Sequence, residues 1–247
     1  MKMTTLFATL LLTPLAAFAG NMDSYYQRIQ TARWHGDIAE LSAVSSDLHR
    51  SAAQSNDPDL QLAAAVADYR LAGQASHQAK PDIDSADAAL SRAQATLETL
   101  TAGQAGNQAE ALALLASVYG MEIGLHPIKG MLLGPKSGAA IRQAEKLAPT
   151  NPRVLLSKGI GKLFTPPLFG GSREEAITAF NAVVSQLPVS AFTPTNWGLD
   201  DAYIWIGIAH DQAGEAAAAR ASWQQALNVA PESGWAKHLL AESESAK

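Results

Sequence analysis

Apolar residues recur at helical spacing along most of the chain. Amphipathic stretches with this period occupy roughly 24–34, 37–53, 58–77, 83–100 and 107–123. Between them stand helix-breaking residues, at Gly36, Asn56-Asp57-Pro58 and Lys80-Pro81-Asp82 and again over 103–107. Alternating β-branched runs are scarce. The pattern therefore predicts an all-α fold of antiparallel helical hairpins.

The C-terminal part of the chain contains a clear internal repeat. The unit 200–233 reads DDAYIWIGIAHDQAGEAAAARASWQQALNVAPES. Gly207 and Ala219 provide small residues where two helices of a hairpin cross, Trp223 fills a gap between units and Pro231 ends the second helix. We expect one further copy over 152–190 and a weaker one over 107–151, in which residues 125–137 enlarge the hairpin turn.

The copy at 152–190 is longer than a plain repeat because of a segment at 164–172, FTPPLFGGS. Paired prolines end the preceding helix, and the serine at its end is placed to cap the next one. Two alternatives follow for its apolar side chains. Either they fold back over the neighbouring hairpin, against Trp197, and plug the core, or they form a partner-binding loop at the rim of a groove.

These repeats resemble the tetratricopeptide repeat (TPR) superfamily. The motif covers the C-terminal half well, whereas degenerate hairpins at 23–106 match by pattern alone and 234–247 resembles a capping helix. The segment NPRVLLSKGIGKLFTPPLFGGSREEAITAF also resembles exported bacterial TPR-like proteins with an F-G-G insertion. The resemblance implies a stacked superhelix over 20–247 whose concave face takes peptides or proteins and has no chemistry of its own.

The resemblance also implies a set of partner-binding residues. In TPR hairpins four positions of each first helix face the groove, and the insertion adds its apolar side chains. The candidates are Arg153, Leu156, Ile160, Phe164, Leu168, Phe169, Trp197, Asp201, Ile204, Ile208 and Asp211. If the superhelix is tightly wound, Leu156, Ile204 and Ile208 instead pack against an adjacent helix. The Lys, Asn and Arg set by which some TPRs hold a C-terminal carboxylate is missing.

The first residues predict export. Met1-Lys2-Met3 is a short basic start, an apolar run covers 6–12, and Ala17-Phe18-Ala19 forms a cleavage site. We expect a signal peptide at 1–19 and a mature protein in the bacterial periplasm. The apolar run is shorter than the roughly 20 residues that a spanning helix needs, so no membrane insertion is expected after signal removal.

Composition narrows the chemistry further. The predicted signal peptide carries Lys2 and no acid, so its removal changes the formal charge from −5 to −6, which argues against nucleic acid or an anionic lipid surface as partner. The chain has no Cys and six scattered His without an HExxH motif, so no metal site is expected. The stretch 130–137 has residues at P-loop spacing, but Pro135 stands where a P-loop needs a backbone N–H that faces phosphate, so we expect no nucleotide-binding loop there.

No nucleophile elbow or paired-carboxylate motif is recognisable, so we expect neither enzymatic activity nor a cofactor. The sequence favours a non-catalytic scaffold of the cell envelope that binds a protein, a peptide or a second copy of itself. The alternative, from another class, is a TPR-like accessory subunit of a transport system that encloses a small-molecule or lipid-like ligand.

Overall fold

The computed structural model describes residues 15–103, 107–191, 193 and 195–245. The predicted signal peptide therefore lies mostly outside the described residues. Within them the chain forms eleven α-helices and no strand: α1 (Leu15–His35), α2 (Ile38–Ser55), α3 (Pro58–Ser76), α4 (Ile83–Ala102), α5 (Gln108–Leu125), α6 (Gly130–Leu147), α7 (Pro152–Phe164), α8 (Arg173–Gln186), α9 (Leu199–Asp211), α10 (Ala216–Val229) and α11 (Gly234–Ser245). The predicted all-α fold is confirmed.

The helices pack as a stack of hairpins. Each odd-numbered helix from α1 to α9 packs against the even-numbered helix that follows it, and α11 packs on α10. The odd-numbered helices also contact one another in order from α1 to α9, and α1 reaches α11. The odd-numbered helices therefore form an inner row and the even-numbered helices an outer row.

Two hairpins show the same close helix crossing. A Cβ atom added at Gly207 of α9 would lie 2.2 Å from Nε1 of Trp223 in α10, and one added at Gly159 of α7 would lie 2.3 Å from Cε1 of Phe180 in α8. Both aromatic rings are buried. The repeat predicted from the small residues thus corresponds to a repeated packing contact, in which a glycine on the first helix receives an aromatic ring from the second.

Local sequence signals set the helix boundaries. Asp37, Asp57, Asn151 and Ser172 stand just before helices, and each side chain accepts a hydrogen bond from a backbone N–H of the first turn. The hairpin turn between α5 and α6 is short. The expectation of an enlarged turn over 125–137 is wrong, because a short 3₁₀ turn at Pro127–Lys129 leads directly into α6. The helix forms despite Pro135 because its inner side is buried against α5.

The two ends of the stack meet. The Arg33 guanidinium near the end of α1 donates to Asp200 and, over 3.1 Å, to Asp201 at the start of α9. A Cβ atom added at Gly234, the first residue of α11, would lie 2.9 Å from the carbonyl oxygen of Trp34. The stack is therefore wound tightly enough for its first hairpin to touch its last helices.

Candidate functional site

A buried group of charges occupies the inner row; we call Arg33, Arg70, Asp200 and Asp201 the central ion cluster. Arg70 of α3 donates to both carboxylate oxygens of Asp201, at 2.7 and 3.2 Å. Both aspartates are fully buried. Burial by itself would raise the pKa of Asp201, but the Arg33 and Arg70 guanidinium groups outweigh it and hold that pKa below its usual range.

Trp197 lies beside this cluster, between two guanidinium groups. Its ring is 4.9 Å from Cζ of Arg70 and 5.0 Å from Cζ of Arg153. Arg153 also donates to both oxygens of Glu110, each at 2.9 Å, and to the carbonyl of Thr195. These contacts tie the connector between α8 and α9 to the N-terminal ends of α5 and α7.

The same region shifts the pKa of a tyrosine of α1. Burial raises the pKa of Tyr26 to about 12, with Arg153 opposing this effect and Glu110 and Asp59 adding to it. The phenol therefore stays protonated over the physiological range. The charged side chains around Tyr26 and Trp197 pair with one another, and no nucleophile in this region is paired with a base.

Four of the predicted partner-binding residues belong to the interior. Leu156, Trp197, Asp201 and Ile204 are no more than 8% exposed. Of the two alternatives for Leu156 and Ile204, packing against adjacent helices is the one observed. The expectation that these four side chains line an open groove is wrong, because the tight winding of the stack brings inner helices together over them.

The remaining candidates lie nearer the surface. Ile160 of α7 and Ile208 of α9 are partly buried, and Asp211 is exposed at the end of α9. Arg153 is held by Glu110, as described above. Phe164, at the end of α7, is 57% exposed.

Phe164 begins a row of aromatic rings that crosses the inner row of helices. Its ring meets Trp205 of α9 edge-on, with centroids 5.6 Å apart, and Trp205 meets Trp235 of α11 in the same way at 5.1 Å. Both tryptophans are partly exposed. We call Phe164, Trp205 and Trp235 the aromatic ladder. The partner-binding residues predicted from the sequence included neither Trp205 nor Trp235. A tryptophan in the first helix of the last repeat and another in the helix that follows that repeat were a usable signal.

The segment 164–172, which we call the F-G-G loop, has a compact backbone. The N–H of Ser172 donates to the carbonyl of Lys162 over 2.9 Å, and the Lys162 ammonium donates to the carbonyl of Gly170 over 3.0 Å. A Cβ atom added at Gly171 would lie 1.7 Å from the carbonyl oxygen of Thr165, and Gly170 has φ +91°. Both glycines are therefore required by this conformation.

The apex of the F-G-G loop points into solvent. Leu168 is 88% exposed and Phe169 is 76% exposed. The alternative in which these side chains plug the core is therefore wrong. Trp197, the expected contact of the plug, is buried between Arg70 and Arg153, and it is Phe164 that packs, against Trp205.

Two clefts are present on the described surface. One, of about 210 Å³, lies between α1 and α2 near Arg28 and Glu40, and the other, of about 300 Å³, lies near Asn107, Glu110 and Asn151. Both are partly open and carry polar side chains, unlike an enclosed apolar chamber for a lipid-like ligand.

Among the described residues, no group of three or more His, Cys, Asp or Glu side chains is placed to hold a metal ion. None of the described helices combines the length and apolar character needed to cross a bilayer.

Comparison with known proteins adds no further identification. No protein-family model matches the chain, and no curated protein is similar enough to be matched to it.

Proposed function

We propose that this chain is a TPR-like, non-catalytic binding scaffold of the bacterial periplasm, which holds a protein or peptide through the F-G-G loop and the aromatic ladder. The repeated glycine–aromatic crossings of α7–α8 and α9–α10 support the TPR assignment. The predicted signal peptide at 1–19 supports export.

The observation that carries the proposal is the exposure of Leu168 and Phe169 on a loop with a fixed backbone. Large apolar side chains lose hydrophobic free energy when they face water, and contiguous exposed patches mark interaction sites. A backbone already held in place by Lys162 and the two glycines loses little conformational freedom on binding. Rigid aromatic anchors of this kind carry much of the energy of protein interfaces.

The location of the surface follows from the winding of the stack. The central ion cluster and Trp197 fill the inner row near the start of α9, so an extended peptide has no open channel along that part. The aromatic ladder instead runs from the F-G-G loop across α9 to α11. A partner anchored on Phe169 would continue along Trp205 and Trp235.

A site-directed photo-cross-linking experiment tests the proposal. A photoreactive phenylalanine analogue at position 169, expressed in the native host, should capture a defined partner. The same analogue at position 189, where Val189 is exposed in the α8–α9 connector, should not capture it.

The variant Phe169→Ala provides the matching loss-of-function measurement. It should keep the wild-type melting temperature and lose the partner, because the ring is mostly in solvent. A melting temperature lowered by many degrees would show that the ring is a structural plug. Equal capture from positions 169 and 189, or full partner retention by Phe169→Ala, would contradict the proposed site.

The alternative of a transport subunit that encloses a ligand stays a prediction from the sequence. Bound lipid or small molecule in the purified protein, identified by native mass spectrometry, would support that alternative.

A further inference from the structure

The outward face of α6 has an unusual composition. Its exposed residues recur at helical spacing and so share one side of the helix. They are Met131, Leu132, Pro135, Lys136, Ala139, Arg142, Gln143, Lys146 and Leu147. We call these residues, with Ile128 of the preceding turn, the basic–apolar face. It contains no acidic side chain, since Glu145, the one acid of α6, pairs with Lys158 over 2.5 Å.

The apolar members of this face protrude strongly. Ile128 is 89% exposed, Met131 is 92% exposed and Leu132 is 67% exposed. The other even-numbered helices, all of them described, differ in this respect. Among the large apolar side chains of α2, α4, α8 and α10, Ile83 alone is exposed, at 37%.

Unpaired positive charge is concentrated on the same face. Residues 123–173 contain eight Lys and Arg and a single acid, a net charge of +7 in a chain of −5. Five of these basic residues form ion pairs, namely Lys129, Arg153, Lys158, Lys162 and Arg173. Within the described part of the chain, no carboxylate lies within ion-pair distance of the other three, which are Lys136, Arg142 and Lys146; the Lys136 ammonium lies over the Tyr119 ring, 5.8 Å from its centroid.

The shape of the surface decides what covers it. Because α6 belongs to the outer row, its face is turned away from the inner helices. Its last residue, Leu147, borders the polar cleft near Asn107, at the other end of the helix from the protruding Met131 and Leu132. A protein partner would need separate pockets for side chains that stand alone in solvent, whereas the interface of a bilayer accepts protruding apolar side chains without pockets. Basic side chains beside them reach lipid phosphates along their own flexible stems.

We propose that the basic–apolar face is a docking surface for an anionic phospholipid bilayer, with α6 lying along the plane of the headgroups. Ile128, Met131 and Leu132 enter the boundary of the acyl chains, and Lys136, Arg142 and Lys146 contact lipid phosphates. The net charge of the chain argued against an anionic lipid surface. The charges are unevenly distributed, so the exposed side of α6 carries basic residues although the whole chain is negative.

Vesicle flotation of the mature protein tests this assignment. The protein should bind vesicles made of equal parts phosphatidylcholine and phosphatidylglycerol, and it should bind pure phosphatidylcholine much more weakly. Added salt should release it, because the attraction to exposed charges is screened. Absence of binding to the anionic vesicles at low salt would overturn the proposal.

Two variants and one control test the face itself. Lys136→Gln/Arg142→Gln/Lys146→Gln should lower the partition coefficient on anionic vesicles on the order of 100-fold. Arg50→Gln/Lys80→Gln/Lys237→Gln removes the same charge from exposed positions elsewhere and should stay close to the wild type. Met131→Ser/Leu132→Ser should lower the coefficient at least about tenfold.

Each contrary outcome would point to a different explanation of the basic–apolar face. Equal losses in the two charge triples would show that net charge, and not this face, drives binding. A photo-cross-linker at position 131 that captures an acidic protein, without any vesicle binding, would assign the face to that protein. Because Phe169 is outside the face, Phe169→Ala should float like the wild type, and a failure here leaves the F-G-G loop proposal untouched.

Discussion

The helix crossing at Gly207 allows a quantitative test of the repeat architecture. In Gly207→Ala the new methyl carbon would lie 2.2 Å from Nε1 of Trp223 and 2.4 Å from its Cδ1. Trp223 is only 2% exposed, and its N–H donates to the carbonyl of Ile204 over 3.2 Å. The indole is therefore enclosed, so α9 and α10 must separate to admit the methyl group.

The expected cost combines three effects. Overpacking in a core costs about 1–3 kcal/mol, and a lost or weakened indole hydrogen bond adds about 0.5–1.5 kcal/mol. Alanine in a helix interior returns about 0.8–1 kcal/mol relative to glycine. The net destabilisation is roughly 0.5–4 kcal/mol, which corresponds to a fall in melting temperature of about 1–15 °C for a chain of this size.

Thermal melting followed by circular dichroism measures this effect, and Gly161→Ala is the matched control. A Cβ atom at Gly161 of α7 meets nothing within 4 Å, so that variant should be stabilised by up to about 1 kcal/mol from helix propensity alone. Gly159→Ala, against Phe180, should be destabilised in the same way as Gly207→Ala. If Gly207→Ala melted at or above the wild-type temperature, the helices would not cross at this residue.

Three further predictions concern titration and processing. The pKa of Asp201 is lowered in the folded state, so the stabilisation by its carboxylate is complete above the unfolded pKa near 3.9 and is lost as the pH falls further. Asp201→Asn should destabilise the protein at pH 7 and should make the denaturant midpoint depend less steeply on pH in acid. An acid dependence as steep as that of the wild type would contradict this. Burial also raises the pKa of Tyr69 and of Tyr119, so alkaline absorbance titration should show several late-titrating phenols, of which the one with a pKa of about 12 disappears in Tyr26→Phe. Stability should fall above pH 10 through Tyr26 because the folded state retains its proton longer than the unfolded chain. Mass analysis of the cellular protein should find Gly20 as the first residue, and retention of Met1 would refute the signal peptide.

Local features were predictable because their causes lie within a few residues. The apolar period over 58–77 corresponds to α3 (Pro58–Ser76), and the cap predicted at Ser172 accepts from the N–H of Glu175. The small residue at Gly207 correctly marked a helix crossing. These signals depend on backbone geometry and on the spacing of residue types along the chain, and both can be inferred from one sequence.

Long-range features were not predictable in the same way. Nothing near Arg33 in the sequence indicates a partner at Asp200, because that contact depends on the accumulated winding of every hairpin between them. The same winding buried Leu156 and Ile204, which a single TPR hairpin would leave facing a groove. The exposure of Phe169 likewise depends on how Gly170 and Gly171 direct the loop away from the stack.

The meeting of α1 with α9 and α11 sets the length of this array. In an open solenoid each unit contacts only its neighbours, so units can be gained, lost or unfolded one at a time. Here an inserted hairpin would carry Asp200 and Asp201 away from Arg33, and a deleted one would force the ends past each other. Either change would leave buried charges without partners, at a cost of several kcal/mol. The number of hairpins between Arg33 and Asp200 is therefore fixed by this contact, and α1 and α9 should unfold together.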